Sequence, residues 1–443
     1  MALLHELHNG RIIDNMKPVK VGLLGLGTVG TGVVRIVEGH HDDLLSQVGS
    51  PISIVKILVK DRGKNRSVSV DPAILTEDPW EIVRDPEIDV IVEVMGGVES
   101  TKALILEALE RGKHVVTANK DLMALHGPEL LAKAHEKGCD ILYEASVAGG
   151  IPIIRTLIEG FSSDRITKIM GIVNGTTNYI LTKMSQEGAA YEDVLREAQA
   201  LGYAEADPTS DVEGLDAARK MTILATLGFR ANIALEDVDV RGISAVTQED
   251  IQYAKQLGYA VKLLGIAERQ NDYISVSVQP TFVKMSHPIA SVSGVFNAVY
   301  VYGEAVGETM FYGPGAGEMP TATSVVADLV AVVKNAKLGV NGRQASISYK
   351  EKKLKSDKQI ASKYFMLLHV EDRAGVLMQI AQVFSDCEVS IESVMQPPTP
   401  HKTGAELIII THESNKDAMN RVLKAFENLS SVRSVKSVYR AEG

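Results

Sequence analysis

Lys20-Val21-Gly22-Leu23-Leu24-Gly25-Leu26-Gly27-Thr28-Val29-Gly30 decides how the first part of this chain folds. The first five residues read as a short buried strand. The glycines that follow fall in the pattern GxGxxG. Val33, Val34, Ile36 and Val37 then continue as an apolar helix. A glycine-rich turn alone says little. One that leaves a strand and opens a helix has the context that dinucleotide binding requires. Gly25 permits the tight turn, Gly27 lets backbone approach a pyrophosphate, and Gly30 lets helix pack closely on strand. The helix N-terminus, with Thr28 and Val29 in its first turn, then faces the phosphates.

Strand and helix keep alternating downstream. Strands are expected at 52–59, 89–94, 114–117 and 140–143, and helices at 101–111 and 128–137. That spacing makes residues 17–145 an α/β, Rossmann-type doubly wound parallel sheet. A helix at 321–338, within a segment 319–345, is expected to pack back on it. Residues 38–51 read as an insertion. It moves the acidic residue expected after the second strand to Asp61, among Lys60, Arg62, Lys64 and Arg66. An aspartate there suits a ribose 2′-hydroxyl, and a basic cluster suits a 2′-phosphate. A solvated loop is the plain alternative. The reading leans to NADP, with Arg62 pointing inward, and leaves NAD open.

The chain has 443 residues, enough for two or three domains, and a net charge of −10, which argues against a nucleic-acid or membrane-surface role. Cys139 and Cys387 are far apart and make no metal-ligand spacing, which favours a reducing, cytoplasmic setting. No apolar run is long enough to cross a bilayer. Residues 1–16 hold His5, Glu6, His8 and Asp14 and read as an N-terminal extension rather than a signal peptide.

Beyond the first domain, residues 146–318 mix helices with short strands, as an α+β domain would. Helices are expected at 212–227 and 250–257, and strands at 166–173, 262–268 and 273–280. Residues 346–363 are rich in Lys, Glu, Asp and Ser and read as a linker. The pattern then restarts: strand 364–370, helix 375–384, strands 389–396 and 405–411, helix 416–429, strand 432–439. That order, βαββαβ, predicts a ferredoxin-like module over 364–443.

The chemistry concentrates in residues 201–220. Glu205, Asp207, Asp211 and Asp216 precede one lysine, Lys220, with Gly202, Pro208 and Gly214 woven between them. Asp216 and Lys220 are i,i+4 and share a helix face. Most such pairs are surface ion pairs of small value. The density of polar groups upstream points instead to a site for a small cationic molecule.

Other segments are less decisive. Thr117-Ala118-Asn119-Lys120 ends a strand at the carboxyl edge of the sheet, where such folds bind ligands, so Asn119 and Lys120 are candidates. Glu144 to Pro152 is a small-residue turn that reads as a domain hinge, although its carbonyls and one carboxylate could hold a hard cation. Asn174-Gly175-Thr176-Thr177-Asn178 could cap a helix or bind a ligand carboxylate, through Thr176 among others. Tyr312 to Glu318, with Gly317, is a connector or a ligand loop. Asp372 to Leu377, with Gly375, is an ordinary turn or a helix N-terminus for a carboxylate.

Taken together these segments make the chain resemble the homoserine dehydrogenases that carry a C-terminal ACT domain. The resemblance runs from Lys20 to Tyr439. It is most specific at Gly202, Asp207-Pro208, Asp211, Gly214, Asp216 and Lys220. It implies NAD(P)-dependent interconversion of L-homoserine and L-aspartate 4-semialdehyde. It implies Lys220 as the acid/base lysine beside Asp216, Lys120 near substrate and nicotinamide, and Glu205 and Asp211 at substrate, with Asp207 and Thr176 as further candidates. Gly202, Gly317 and Asn119 join the cofactor side. It also implies a sodium ion on Glu144 and the carbonyls of Val147, Gly149 and Ile151, against the hinge reading. Threonine is the implied effector, at a site including Asp372 and Gly375, in a homodimer or homotetramer. Rival readings are another amino-acid-derived aldehyde reductase, or an amino-acid sensor without catalysis. An acyl-forming enzyme would need a nucleophilic cysteine, and Cys139 is poorly placed for one.

Overall fold

The computed structural model describes residues 17–342, 349–398 and 404–442. Its first sheet has six parallel strands: β1 (Val19–Leu24), β2 (Ile52–Leu58), β3 (Leu75–Thr76), β4 (Val90–Glu93), β5 (His114–Thr117) and β6 (Ile141–Leu142). They lie in the order β3-β2-β1-β4-β5-β6. The order reverses between β1 and β4, and the crevice outside the carboxyl ends at that point is where doubly wound sheets take ligands. Val21, Leu23, Val90 and Val92 bury fully or nearly so in one core beneath it.

The helix Glu318–Leu338 belongs to this core through Ala322, Val325, Val326, Leu329 and Val333. It lies close against the helix Thr28–Gly39, because Gly32 carries no side chain. A Cβ there would sit 2.7 Å from the Glu318 carbonyl oxygen and 2.8 Å from the Ala322 methyl. The inserted segment 38–51 is itself helical at His41–Val48. The helix expected at 128–137 begins eight residues earlier, as Lys120–Lys137, with Pro128 inside it. Its start is set by the Asn119 side chain, which accepts the Leu122 N–H at 3.1 Å, and not by the proline.

One compact unit holds this sheet up to Arg165 and takes back 222–235 and the described residues of 311–351. The other holds 166–221, 236–310 and the described residues from Lys352 onward. Its strands are β7 (Ile166–Ile172), β8 (Val238–Val240), β9 (Tyr259–Gln270), β10 (Tyr273–Lys284), β11 (Phe296–Gly303), β12 (Gly307–Pro314, from Phe311 on in the first unit), β13 (Lys353–Leu354), β14 (Ala361–Val370), β15 (Ile391–Met395), β16 (Ala405–Thr411), β17 (Ser414–Asn415) and β18 (Val432–Glu442). The main path runs β12-β11-β7-β9-β10-β18-β14-β16-β15. The strands expected at 262–268 and 273–280 are both longer than that and form one antiparallel hairpin, β9–β10.

The C-terminal strands follow the βαββαβ order, with the helices Val376–Asp386 and Lys416–Glu427 sharing a core with β14 and β16. They do not stand apart behind a linker. β18 pairs in parallel with β10, Thr281 opposite Arg440. The buried Phe282 ring lies 4.3 Å from that of Phe365 and 5.1 Å from that of Tyr439. Part of the expected linker, 343–348, lies outside the described residues. Of the rest, Lys353–Leu354 pairs with β10 and Ala361 already opens β14. The charged residues that suggested solvent have partners: Lys352 meets Asp237 at 2.6 Å and Lys355 meets Glu268 at 3.7 Å.

Candidate active site

A cleft of about 1020 Å³ opens along the carboxyl edge of the first sheet, lined by Gly25, Gly27, Thr28, Gly96 and Gly97 among others. Gly25 turns the chain with φ +112°. A Cβ on Gly30 would lie 2.1 Å from the Gly25 carbonyl oxygen, so the helix Thr28–Gly39 can follow the strand this closely only with glycine there. A Cβ on Gly27 would meet nothing within 4 Å. The second glycine therefore leaves bare, open backbone beside the exposed Thr28, at the start of a helix. That is the surface a pyrophosphate needs. Val29 turns the other way, against the core.

The loop after β2 is arranged differently from the expectation. Asp61 Oδ1 accepts the Gly63 N–H at 2.7 Å in a local turn. Arg62 does not line the cleft. Its guanidinium donates to the Pro72 carbonyl at 3.2 Å, and its own N–H is bound by Glu77 at 3.0 Å. The cations that line the cleft are Lys60, Lys64 and Arg66. Arg66 also donates to the Lys64 carbonyl at 2.7 Å, which holds the loop in shape.

At the far side of the same edge, Asn119 Nδ2 donates to the Gly97 carbonyl at 2.7 Å. Lys120 opens the helix that Asn119 caps and is half-buried. Gly317, with φ +115°, is the N-cap of the helix Glu318–Leu338.

The Glu144–Ile151 turn belongs to this unit as well. Glu144 is buried, and its two oxygens accept the N–H groups of Ile154 at 2.7 Å and Arg155 at 2.8 Å. Its own N–H goes to Asp328 at 2.7 Å, and Asp328 also pairs with Arg155 at 2.7 Å. Burial pushes both carboxyls up, that of Asp328 to about 7. Val147, Gly149 and Ile151 are buried beside it, and the Gly149 carbonyl accepts the Ser324 hydroxyl at 2.7 Å. Among the described residues no three His, Cys, Asp or Glu side chains cluster as a metal site, so a cation here would depend on carbonyls.

The acidic block lies in the other unit and is sorted by one break. In place of a single helix over 212–227 there is a short helix, Thr209–Val212, then Gly214 at φ +78°, then Leu215–Phe229. The break lets Asp211 and Asp216 face the same amide. Asn174 Nδ2 donates to Asp211 at 2.7 Å and to Asp216 at 2.9 Å. Asp216 in turn receives Lys220 Nζ at 2.7 Å, and the same ammonium donates to the Val173 carbonyl at 2.8 Å. Asn174 also caps the helix Gly175–Glu187, its Oδ1 accepting the Thr177 N–H at 2.9 Å. Burial raises the Asp211 carboxyl above its ordinary range, and the Asn174 amide opposes that. Thr176 donates to the Tyr203 carbonyl at 2.6 Å, tying the 201–207 loop to the same turn.

Glu205 and Asp207 are exposed and stand outside this row. Asp207 accepts the Thr209 N–H at 3.1 Å in the turn that leads into the short helix. Gly202 is an exposed turn residue at φ +76°. Sequence reasoning offers the cap and ligand readings of Asn174 as alternatives. It misses that one amide serves as a cap and as a bridge between two carboxylates.

Asp372 and Gly375 are exposed, and Gly375, at φ +89°, is the N-cap of the helix Val376–Asp386, with no side-chain cap. Cys139 is buried and its thiol is pushed up to about 11, so it is no nucleophile.

Models of two homoserine dehydrogenase domains match the chain: the NAD binding domain at residues 25–144 and the homoserine dehydrogenase domain itself at 152–330. The homoserine dehydrogenase of Bacillus subtilis is 58% identical over 429 residues, 97% of this chain and 99% of that protein. The chain belongs to the homoserine dehydrogenase family. The Pseudomonas aeruginosa member is 43% identical over 94% of this chain and 97% of its own. The crystal structure of the Thiobacillus denitrificans homoserine dehydrogenase superposes with a TM-score of 0.90 at 41% identity, covering 96% of this chain and 99% of that one. A hyperthermophilic archaeal homoserine dehydrogenase in complex with NADPH matches at TM-score 0.62 and 28% identity, over 74% of this chain and all of that one. The activity is the NAD(P)-dependent interconversion of L-homoserine and L-aspartate 4-semialdehyde, a step of threonine and methionine biosynthesis. A sensor without catalysis is not favoured. Among the described residues no helix is long and apolar enough to cross a membrane.

Proposed function

We propose that Lys220 carries the proton of this reaction and that Asp216 and Asn174 hold it in place. When bound, the nicotinamide supplies or takes the hydride. In the reducing direction negative charge then builds on the aldehyde oxygen. An ammonium stabilises that charge and can donate its proton. Lys220 has three N–H bonds, and two of them are directed at Asp216 and Val173. The third is the one we assign to the substrate oxygen. Asp211, on the other side of the Asn174 amide, would hold the substrate ammonium. The observation that carries this reading is the unbroken hydrogen-bonded row Asp211–Asn174–Asp216–Lys220. Kinetics of Asp211→Asn test it: KM for homoserine should rise more than kcat falls, and an unchanged KM would reject the assignment.

The reading of the cofactor loop favours NADP at least equally with NAD, through Lys60, Lys64 and Arg66 in place of Arg62. Each charge-assisted bond to a 2′-phosphate contributes roughly 1.5–3 kcal/mol. Lys64→Ala should therefore lower kcat/KM for NADP about tenfold or more and spare NAD, with Arg62→Ala near neutral. Equal losses with both cofactors would reject it.

Sodium on Glu144, Val147, Gly149 and Ile151 is supported by a buried, all-oxygen donor set. The backbone there is also held in the left-handed region, at φ 55° for Ala148 and 51° for Gly149. Substituting potassium for sodium in the assay tests it. Residues 364–443 serve in our reading as an ACT domain that binds threonine at Asp372–Gly375, in a homodimer or homotetramer. Threonine inhibition, its loss in Asp372→Ala, and light scattering test those points.

A further inference from the structure

Glu93 ends β4 where the strand order reverses, and its side chain is fully buried. Its Oε1 accepts the N–H groups of Met95 at 2.9 Å and Gly96 at 3.0 Å. Its Oε2 meets the Thr117 hydroxyl at 2.5 Å. That hydroxyl oxygen also accepts the Asn119 N–H at 3.0 Å, and Asn119 donates onward to the Gly97 carbonyl. One carboxylate thus ties together the loops that leave two neighbouring strands, β4 and β5. Met95, Gly96 and Gly97 line the dinucleotide cleft. The Met95 Cα lies 3.1 Å from where a Cβ of Gly25 would stand, so the loop held by Glu93 backs directly onto the phosphate turn.

A buried carboxylate is costly unless its oxygens are satisfied. Here neutral donors satisfy them. Burial pushes the Glu93 carboxyl up while Thr117, Gly96, Met95 and Asn119 pull it down. When ionised, the group is a buried negative charge held by hydroxyl and amide donors.

In a doubly wound sheet each half binds one mononucleotide. The phosphate turn after β1 and the ribose-reading loop after β2 belong to the adenosine half. The nicotinamide half is β4 to β6, and Glu93 sits at its carboxyl edge. Oxidised nicotinamide is a cation and reduced nicotinamide is neutral. A fixed negative charge beneath that edge attracts the first and is indifferent to the second.

We propose that Glu93 is a positioning residue that locks the 94–97 and 117–119 loops, and that its charge makes the cleft favour oxidised over reduced nicotinamide.

The test is the ratio of dissociation constants for NADP⁺ and NADPH, measured by calorimetry on the full chain at alkaline pH. Glu93→Gln keeps the shape and removes the charge. Its ratio should move against NADP⁺ by about tenfold, the order expected for one charge roughly 12 Å away at an effective dielectric constant near 20. Glu93→Asp keeps the charge but withdraws it, and should move the ratio the same way by a smaller factor. A purely structural role would weaken both cofactors equally, and an unchanged ratio in Glu93→Gln overturns the proposal. Should that variant not fold, an unchanged ratio in Glu93→Asp overturns it.

Discussion

Lys220 and Asp216 stand one helical turn apart and meet at 2.7 Å, with their side chains only 13% and 7% exposed. Ion pairs at this spacing usually lie in solvent and contribute a few tenths of a kcal/mol. This one is largely removed from water, and Asp216 is shared with the Asn174 amide. Its burial is better explained by chemistry than by helix stability.

Replacing Lys220 by Ala should therefore remove most turnover, by about 10² to 10⁴ if it is the acid/base group. Binding of NADP should persist, because the glycine turn belongs to a different unit. Steady-state kinetics and cofactor titration check both parts. A variant that keeps more than half of the wild-type kcat would refute the assignment.

Asn174→Ala should shift the pH dependence. Asp211 must be ionised to hold an ammonium, and burial already raises its carboxyl. Activity is then lost as pH falls through that raised value. Removing the Asn174 amide takes away a donor that favours the carboxylate. The acid limb of kcat/KM for homoserine should move to higher pH, and an unmoved limb would separate Asp211 from substrate binding.

The dinucleotide fold is legible in the sequence because three glycines do three different jobs within six residues and the strand and helix periods on either side agree. The acidic block is legible as a site, yet its internal order is not. Glu205 and Asp207 look equivalent to Asp211 in the sequence. Only the left-handed Gly214 breaks the helix and lets Asp211 turn back. Arg62 misleads because neither Pro72 nor Glu77 announces itself as its partner. The linker misleads because lysines at 352 and 355 signal solvent in a sequence, whereas here they face Asp237 and Glu268. β11 and β12 escape notice for lack of a clean alternation: β11 is buried along most of its length and β12 is largely not.

The last two glycines of the phosphate turn should fail in different ways. Gly27→Ala adds a methyl that meets nothing within 4 Å in the protein, so the fold should melt near the wild-type temperature while cofactor affinity collapses. Gly30→Ala drives its methyl to 2.1 Å from the Gly25 carbonyl, so both should suffer. Thermal melts with and without NADPH distinguish them. Equal melting temperatures for the two variants would contradict this division of labour.

Lys262 is buried on β9 with its ammonium on Asn178 Oδ1 at 3.2 Å and on the Val292 carbonyl. Burial alone lowers its pKa from the ordinary 10.5 to about 8. Between those two values the unfolded chain binds a proton at this lysine and the folded chain does not. Stability must then rise with pH through that window. The full gain is roughly 3 kcal/mol, because a tenfold change in proton affinity corresponds to about 1.4 kcal/mol. Lys262→Met abolishes this contribution and leaves the Asn178 oxygen without its donor. At neutral pH these two consequences oppose each other, because the buried charge is removed as well, and the variant should lie near the wild type. As pH rises through the window the wild type should pull ahead. Denaturant unfolding at several pH values reads the difference directly. Wild-type and variant curves that run parallel from neutral to alkaline pH would mean that Lys262 keeps its proton in the folded protein.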